Sequence, residues 1–227
     1  MVYHSPMMAS PIRCLVSAGP TREFFDPVRF LSNPSSGKMG YALAAAAAAR
    51  GWQVELVSGP VSLPAPAGVT LEQVLTGAEM HAAVRRRFPQ CDILIMTAAI
   101  MDYRPKTVAD HKIKKFELEM VIEMEPVADV LADVARDKGD RLVVGFAAET
   151  EHLEAYARAK LAAKNADFIV ANRIGRTGGA FGSDTNTVTV FARSGVARAL
   201  GPAPKGVLAE QLLELFAPHV RARGGAA

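Results

Sequence analysis

Residues 12–43 constrain this chain more than any other stretch. An apolar run from Ile12 to Val16 meets the turn residues Ser17-Ala18-Gly19-Pro20, and a polar loop then runs through Thr21, Arg29, Asn33, Ser35 and Ser36 to Gly37. An alanine-rich helix former from Lys38 to Arg50 follows without a break. A strand, a polar loop and a helix opened by serines and a glycine is the way α/β proteins aim backbone N–H groups at an anion. The loop is therefore the candidate site, and a doubly wound sheet is the expected frame.

The rest of the chain repeats the pattern. Gly51 ends the first helix, and residues 52–57 and 69–74 read as two further strands. Thr76 can cap a helix over 77–88, with Glu79 three residues later completing a capping box. Residues 91–96 form a buried type of strand that delivers the chain to Thr97-Ala98-Ala99-Ile100-Met101-Asp102. Ligands of doubly wound sheets bind beyond the carboxyl ends of the strands, so this loop is expected beside the first. From 103 to about 125 the pattern changes: Lys106, Lys112, Lys114 and Lys115 surround a polar excursion, and residues 116–120 alternate like a strand. This segment reads as an extension from the sheet that reaches a partner subunit or lies over the site. A helix over 129–138, a strand over 142–144, a third strand-end loop over 145–150, a helix over 151–164 and a strand over 167–171 follow. A Gly-rich loop at 175–182, an edge hairpin through 187–191, a helix over 206–220 and a loose tail at 221–227 complete the chain. No repeat or linker divides it, so one domain over 1–227 is expected.

A formal net charge of +3 suits an anionic small substrate and falls far short of a nucleic-acid binder. Cys14 and Cys91 lie in apolar runs, where buried thiols are the ordinary case, and the five histidines show no ligand spacing. The first ten residues lack a basic region followed by an apolar one, and no segment has membrane-spanning character, so the cytoplasm is the expected compartment.

Familiar nucleotide motifs are missing. Gly19-Pro20-Thr21 replaces a G-x-G-x-x-G turn, and Ser36-Gly37-Lys38-Met39 lacks both the earlier glycine and the following Ser/Thr of a phosphate loop. Ser35, Ser36, Gly37 and Gly40 still allow an anion-binding helix start, with a plain serine N-cap as the alternative. Asn33 precedes Pro34, which confines it to extended backbone and gives its amide a defined direction. Lys160 and Lys164 are four apart on one helix and can face one polyphosphate, or simply solvent. Lys112, Lys114 and Lys115 make either a functional or a solvated basic run. Asp102 at a strand end can meet a ribose or help hold magnesium, and Phe146 can stack on a base or fill the core.

Longer matches go further than these patterns. The run Ala18-Gly19-Pro20-Thr21-Arg22-Glu23, with Asp26-Pro27-Val28-Arg29-Phe30-Leu31-Ser32-Asn33-Pro34-Ser35-Ser36-Gly37-Lys38-Met39-Gly40, resembles the signature of phosphopantothenoylcysteine synthetase, the phosphopantothenate–cysteine ligase family of coenzyme A synthesis. The likeness continues in Ala98-Ala99-Ile100-Met101-Asp102-Tyr103-Arg104-Pro105, Lys112-Ile113-Lys114-Lys115, Val144-Gly145-Phe146-Ala147-Ala148-Glu149-Thr150, Ile169-Val170-Ala171-Asn172 and Gly182-Ser183-Asp184-Thr185-Asn186. It runs from about residue 12 to 215.

The resemblance implies a Rossmann-like, three-layer, doubly wound and mostly parallel sheet, with a strand/loop extension for dimerisation at about 103–125. It implies a homodimer that joins 4′-phosphopantothenate and L-cysteine. CTP would serve as cosubstrate and Mg²⁺ would offset triphosphate charge. The carboxylate would attack the α-phosphorus to give an acyl-cytidylate and pyrophosphate, and the cysteine amine would then displace CMP. Position by position, Asn33 matches the asparagine that holds the acyl intermediate, Arg29 an arginine beside it, and Lys112 a site lysine. Ser35, Ser36 and Gly37 offer the anion-binding helix start. Met96, Thr97, Ala98, Asp102, Lys112, Ala128, Asp129, Val130, Leu131, Phe146, Lys160 and Lys164 match the nucleotide-binding set. No metal ligands are assigned beyond the triphosphate itself, with Asp102 as the candidate carboxylate. An ATP-dependent version and a non-catalytic nucleotide-binding dimer are the alternatives. Many bacterial members carry a flavin-dependent decarboxylase domain ahead of the ligase; the 227 residues here match the ligase part.

Overall fold

The computed structural model describes residues 10–115, 120–175 and 182–220. In chain order the elements are β1 (Arg13–Ala18), β2 (Arg22–Phe24), β3 (Phe30–Ser32), α1 (Lys38–Ala49), β4 (Gln53–Ser58), β5 (Val69–Gln73) and α2 (Gly77–Arg87). Then come β6 (Ile93–Met96), β7 (Tyr103–Pro105), β8 (Met124–Pro126), α3 (Val130–Arg136), β9 (Leu142–Glu149), α4 (Leu153–Ala163), β10 (Phe168–Arg173), β11 (Thr185–Ala192), β12 (Ala197–Pro204) and α5 (Lys205–Phe216).

One eight-stranded sheet has the order β12-β11-β10-β9-β6-β1-β4-β5. From β5 to β10 every pairing is parallel, and the hairpin β11–β12 adds an antiparallel edge. Chain order reverses between β1 and β6, so the sheet has the doubly wound topology, with its switch point at that pair. Strand alternation divides the core into two layers. Cys14, Val16 and Ala18 of β1 pack with Leu43, Ala44 and Ala47 of α1 and with Leu208 and Leu212 of α5. On the other face, Leu15 packs with Met80 and Val84 of α2, Val134 of α3 and Leu161 of α4. Burying each such leucine contributes about 1.5–3 kcal/mol.

Among the described residues the expected strands and helices of the sheet layers are present, with four differences. The loop at 21–37 contains a short antiparallel hairpin, in which Arg22 pairs with Ser32 and Phe24 with Phe30. The third strand-end loop begins later than expected, because β9 continues to Glu149, pairing Phe146 with Val170 and Glu149 with Arg173. Helix α5 ends at Phe216, and residues 217–219 tighten into a 3-10 turn around Pro218, which has no N–H to continue the ladder. Gly37, in the left-handed region at φ 71°, is the N-cap of α1, with no side-chain cap, so the plain serine cap is replaced by a glycine turn. The capping box of α2 is present: Thr76 accepts from the Glu79 N–H at 3.2 Å, and Glu79 reaches back to the Leu75 N–H at 2.7 Å.

The extension leaves the sheet through β7 and returns through β8, with Tyr103 opposite Pro126. The alternating stretch expected at 116–120 lies outside the described residues except for Met120, as do most of the Gly-rich loop and the tail. Among the described residues, no helix is long and apolar enough to cross a membrane.

Candidate active site

Two strand ends are sewn together before the site opens. Thr97 Oγ1 donates to the Ser17 carbonyl at 2.6 Å, the Ala99 N–H to the Gly19 carbonyl at 2.9 Å, and the Met101 N–H to Thr21 Oγ1 at 3.2 Å. Asn33 Nδ2 then donates to the carbonyls of Ala99 at 3.2 Å and Ile100 at 3.3 Å. The loop after β1 and the loop after β6 thus form one wall, beyond the carboxyl ends of the strands at the switch point. Helix α1 starts hard against that wall: a Cβ on Gly40 would lie 2.4 Å from Thr97 Oγ1 and 2.6 Å from Ala18 Cβ. Only a glycine lets the helix N-terminus come so close.

Over this wall lies a cleft of about 750 Å³, within the range of small-molecule sites. Its lining includes Asn33, Ser35, Ser36 and Gly37, Met96, Thr97, Ala98 and Asp102, and Ala128, Asp129, Val130 and Leu131. Phe146, Lys160 and Lys164 line it as well. Apart from Lys112, every residue expected to bind nucleotide faces this single cavity. Phe146 is partly buried against the core and also lines the cleft. Asp102 is exposed, with its carbonyl taken by the Val127 N–H at 2.8 Å.

Two lysines of the cleft pair with carboxylates. Lys160 Nζ lies 2.5 Å from Glu149 Oε1, and Lys164 Nζ lies 3.1 Å from Asp129 Oδ2. Asp129 also caps α3, accepting from the Ala132 N–H at 3.0 Å. The two lysines therefore point to different acids, and an anion entering the cleft competes with both.

Arg29 and Lys112 do not line the cleft of the single chain. Arg29 sends Nε (2.9 Å) and Nη2 (2.6 Å) to Asp26 Oδ2, and Nη2 also donates to the Ile113 carbonyl at 2.7 Å. Asp26, fully buried, accepts from the N–H groups of Val28 and Arg29 at 2.8 Å each and of Ile113 at 3.1 Å. Burial alone would push the Asp26 carboxyl up; the Arg29 guanidinium and the three N–H groups outweigh it and hold the carboxyl well below the usual range. Arg29 thus ties the root of the extension to the β2–β3 hairpin, and the exposed Lys112 adjoins that tie.

Sequence reasoning overlooked Lys38 and Lys205, which also line the cleft. Lys205 stands just ahead of the helix expected at 206–220, with nothing in sequence to set it apart; only the return of the β11–β12 hairpin carries it back to the start of α1. Burial first, and then the neighbouring Lys38, hold its ammonium below the ordinary lysine range, opposed by Asp184.

A crevice over the switch point of a three-layer doubly wound sheet places this chain in the α/β class. The chain belongs to the DNA/pantothenate metabolism flavoprotein C-terminal domain family, whose family model matches residues 10–219. It is 50% identical over 187 residues to the coenzyme A biosynthesis bifunctional protein CoaBC of Bacillus subtilis, covering 82% of this chain and 46% of that protein. It is 46% identical over 217 residues to the CoaBC of Vibrio cholerae serotype O1, covering 94% of this chain and 54% of that protein. The chain thus spans about half the length of these curated relatives. Among solved structures, the C-terminal domain of a CoaBC protein matches with a TM-score of 0.78 at 43% identity, covering 90% of this chain and 93% of that one.

Proposed function

We propose that this chain is a phosphopantothenate–cysteine ligase, a nucleotide-dependent enzyme that forms the amide between 4′-phosphopantothenate and L-cysteine with CTP as the activating cosubstrate. The observation that carries the reading is the convergence of Asn33, the α1 start, Asp102, Phe146, Lys160 and Lys164 on one cleft, in a chain half identical to the corresponding part of a coenzyme A biosynthesis protein.

The residues divide the work by position. Lys160 and Lys164 attract the triphosphate, Phe146 offers a face to the base, and the N–H groups after Ser35 and Ser36 meet phosphate oxygens. Asn33, whose Nδ2 is held by the Ala99 and Ile100 carbonyls, offers Oδ1 as an acceptor that orients the attacking cysteine amine; a group held in place beforehand raises rate rather than affinity alone. Among the described residues no three His, Cys, Asp or Glu side chains cluster as metal ligands. These residues fit an Mg²⁺ ion carried chiefly by the triphosphate oxygens, with Asp102 the carboxylate on offer; when bound, the ion would offset phosphate charge.

A homodimer belongs to the same reading, with residues 1–227 acting as one ligase unit in each subunit. Tyr103, Val108, Met120 and Val121 of the extension and Val28 of the adjoining hairpin are exposed apolar side chains, and apolar surface of that kind marks an interface. The dimer would bring Arg29 and Lys112 toward a neighbour's site.

A coupled assay with 4′-phosphopantothenate, cysteine, Mg²⁺ and either CTP or ATP tests the proposal, by measuring pyrophosphate and identifying the released monophosphate. CMP with amide product supports it. AMP assigns the reaction to ATP, and nucleotide binding without pyrophosphate release leaves a binding protein.

A further inference from the structure

A second cavity opens at the amino ends of β9 and β10, the strands whose carboxyl ends lead to the cleft. Strand β12 runs eight residues from its turn with β11, about 26 Å of extended chain, and α5 then doubles back along the hairpin. That helix has 12 residues, about 18 Å, so it stops short of the turn at 193–196. Residues of the turn, of the α3–β9 connection and of the α5 end line a space of about 620 Å³, within the range of small-molecule sites. Its lining shares no residue with the cleft over the switch point.

The lining is apolar where it is buried and carries guanidinium groups where it is open. Leu142, Phe168 and Val190 are buried, whereas Arg193 and Arg198 are exposed. Arg198 stands opposite Val190 in the hairpin register, so both side chains share one face. Arg193 Nε and Nη2 donate to the Ala166 carbonyl, each at 3.2 Å, and Nη2 also to Asn165 Oδ1 at 2.7 Å, all neutral acceptors. Among the described residues the Arg198 side chain makes no hydrogen bond or ion pair. Of the acids in the lining, Asp167 is engaged by Lys138 Nζ and by the Val143 N–H at 2.9 Å, and Asp140 is the other.

The turn is fixed from two sides. The Arg193 N–H donates to the Asp167 carbonyl at 3.0 Å, and Arg158 of α4 reaches the Gly195 carbonyl through Nη1 at 3.4 Å. Charge on an edge strand also blunts edge-to-edge pairing, but that purpose needs no unfilled apolar space beside it. A planar guanidinium next to such a space suits a flat anion: the acid group meets its N–H donors, and the apolar body displaces water from the buried side chains.

We propose that this cavity is a second small-molecule site that takes an aromatic carboxylate, with the ring against Leu142, Phe168 and Val190 and the carboxylate on Arg193 and Arg198. The inference stands apart from the ligase reading, since none of these residues belongs to the cleft.

Calorimetric titration of the full chain with 2-naphthoate tests it, with 2-naphthamide as the uncharged probe of the same shape. The wild type is expected to bind naphthoate with a dissociation constant of about 1 mM or below, and naphthamide at least about tenfold more weakly. Arg198→Gln and Ser194→Glu, both at exposed positions, are each expected to weaken naphthoate by about fivefold or more. Bound naphthoate should slow hydrogen exchange in peptides covering 138–142 and 190–198. Absence of naphthoate binding at about ten times the expected constant overturns the proposal. So does a smaller gap between the two probes, wild-type affinity in either variant, or protection that misses 138–142 and 190–198. If a variant loses its native circular dichroism, the comparison of probes and the exchange map decide.

Discussion

Asn33 Nδ2 sits 3.2 Å from the carbonyl oxygen of Ala99, a residue 66 positions further along the chain. That bond, with its companion to Ile100 at 3.3 Å, joins the loop after β1 to the loop after β6 at the edge of the cleft. Asn33→Ala removes two hydrogen bonds of about 0.5–1.5 kcal/mol each, so the variant should fold with modest loss of stability. Nucleotide affinity should be retained while amide formation falls by about 10²–10³-fold. Rapid-quench analysis of acyl-nucleotide and product checks this; product formation at the wild-type rate would remove Asn33 from the catalytic role.

Asp26 anchors the extension, and its bonds set an acid limit. A carboxyl held below its unfolded value stabilises the fold fully above the ordinary carboxylate range, at about pH 4, and loses that contribution as pH falls through the folded value. Exchange of the Ile113 amide, corrected for intrinsic rate, should stay slow at neutral pH and accelerate only below about pH 4. In Asp26→Asn it should be fast at pH 7, because the Arg29 ion pair is gone. Hydrogen–deuterium exchange read by mass spectrometry reports both outcomes.

Lys160 pairs with Glu149 at the cleft. Lys160→Met leaves the buried Glu149 carboxylate without its ammonium; because Lys160 is itself part exposed, the cost should be about 1–2 kcal/mol. Adding Glu149→Gln should recover most of that stability. Nucleotide affinity should drop about tenfold in the single variant and stay low in the double. Thermal melts and nucleotide titrations on the three proteins separate the structural from the binding role.

Gly40→Ala should push α1 off the strand-end wall. The added methyl meets Thr97 Oγ1 and Ala18 Cβ inside contact distance, an overpacking of about 1–3 kcal/mol, so the melting temperature should fall by about 2–12 °C. Nucleotide affinity should fall with it, since the helix start would leave the cleft. Calorimetry and titration check the pair of effects.

The extension should govern assembly. Val121, 85% exposed, loses little in the single chain when changed to lysine, but a charge at an apolar interface is unfavourable. Val121→Lys should shift the protein toward monomer in sedimentation velocity and reduce ligase turnover together. A Val121→Lys protein that sediments and turns over as the wild type does would place the subunit contact elsewhere.

The strand–loop–helix order of residues 12–43 carried the doubly wound fold plainly, because short continuous apolar runs and an alanine-rich helix former leave few other packings. The α2 cap was equally legible, since Thr76 and Glu79 act within one turn. The end of β9 was not: Gly145 and the small residues after it look like a loop, and only the partner strand β10, supplying a bond ladder as far as Arg173, keeps Glu149 in the sheet. The alternation at 116–120 reads as a strand in sequence, but most of it lies outside the described residues.

Local order in the chain was enough to determine the α/β class, the glycine-opened helix and the two strand-end loops, because backbone preferences and side-chain periodicity act over a few residues. Tertiary structure alone decided that Lys160 faces Glu149 while Lys164 faces Asp129, that Arg29 turns to Asp26 and Ile113, and that Lys205 returns to Lys38. Lys164 and Asp129, Arg29 and Ile113, and Lys205 and Lys38 lie far apart in sequence. The charge each lysine meets depends on which strands the sheet sets side by side, and no local pattern encodes that.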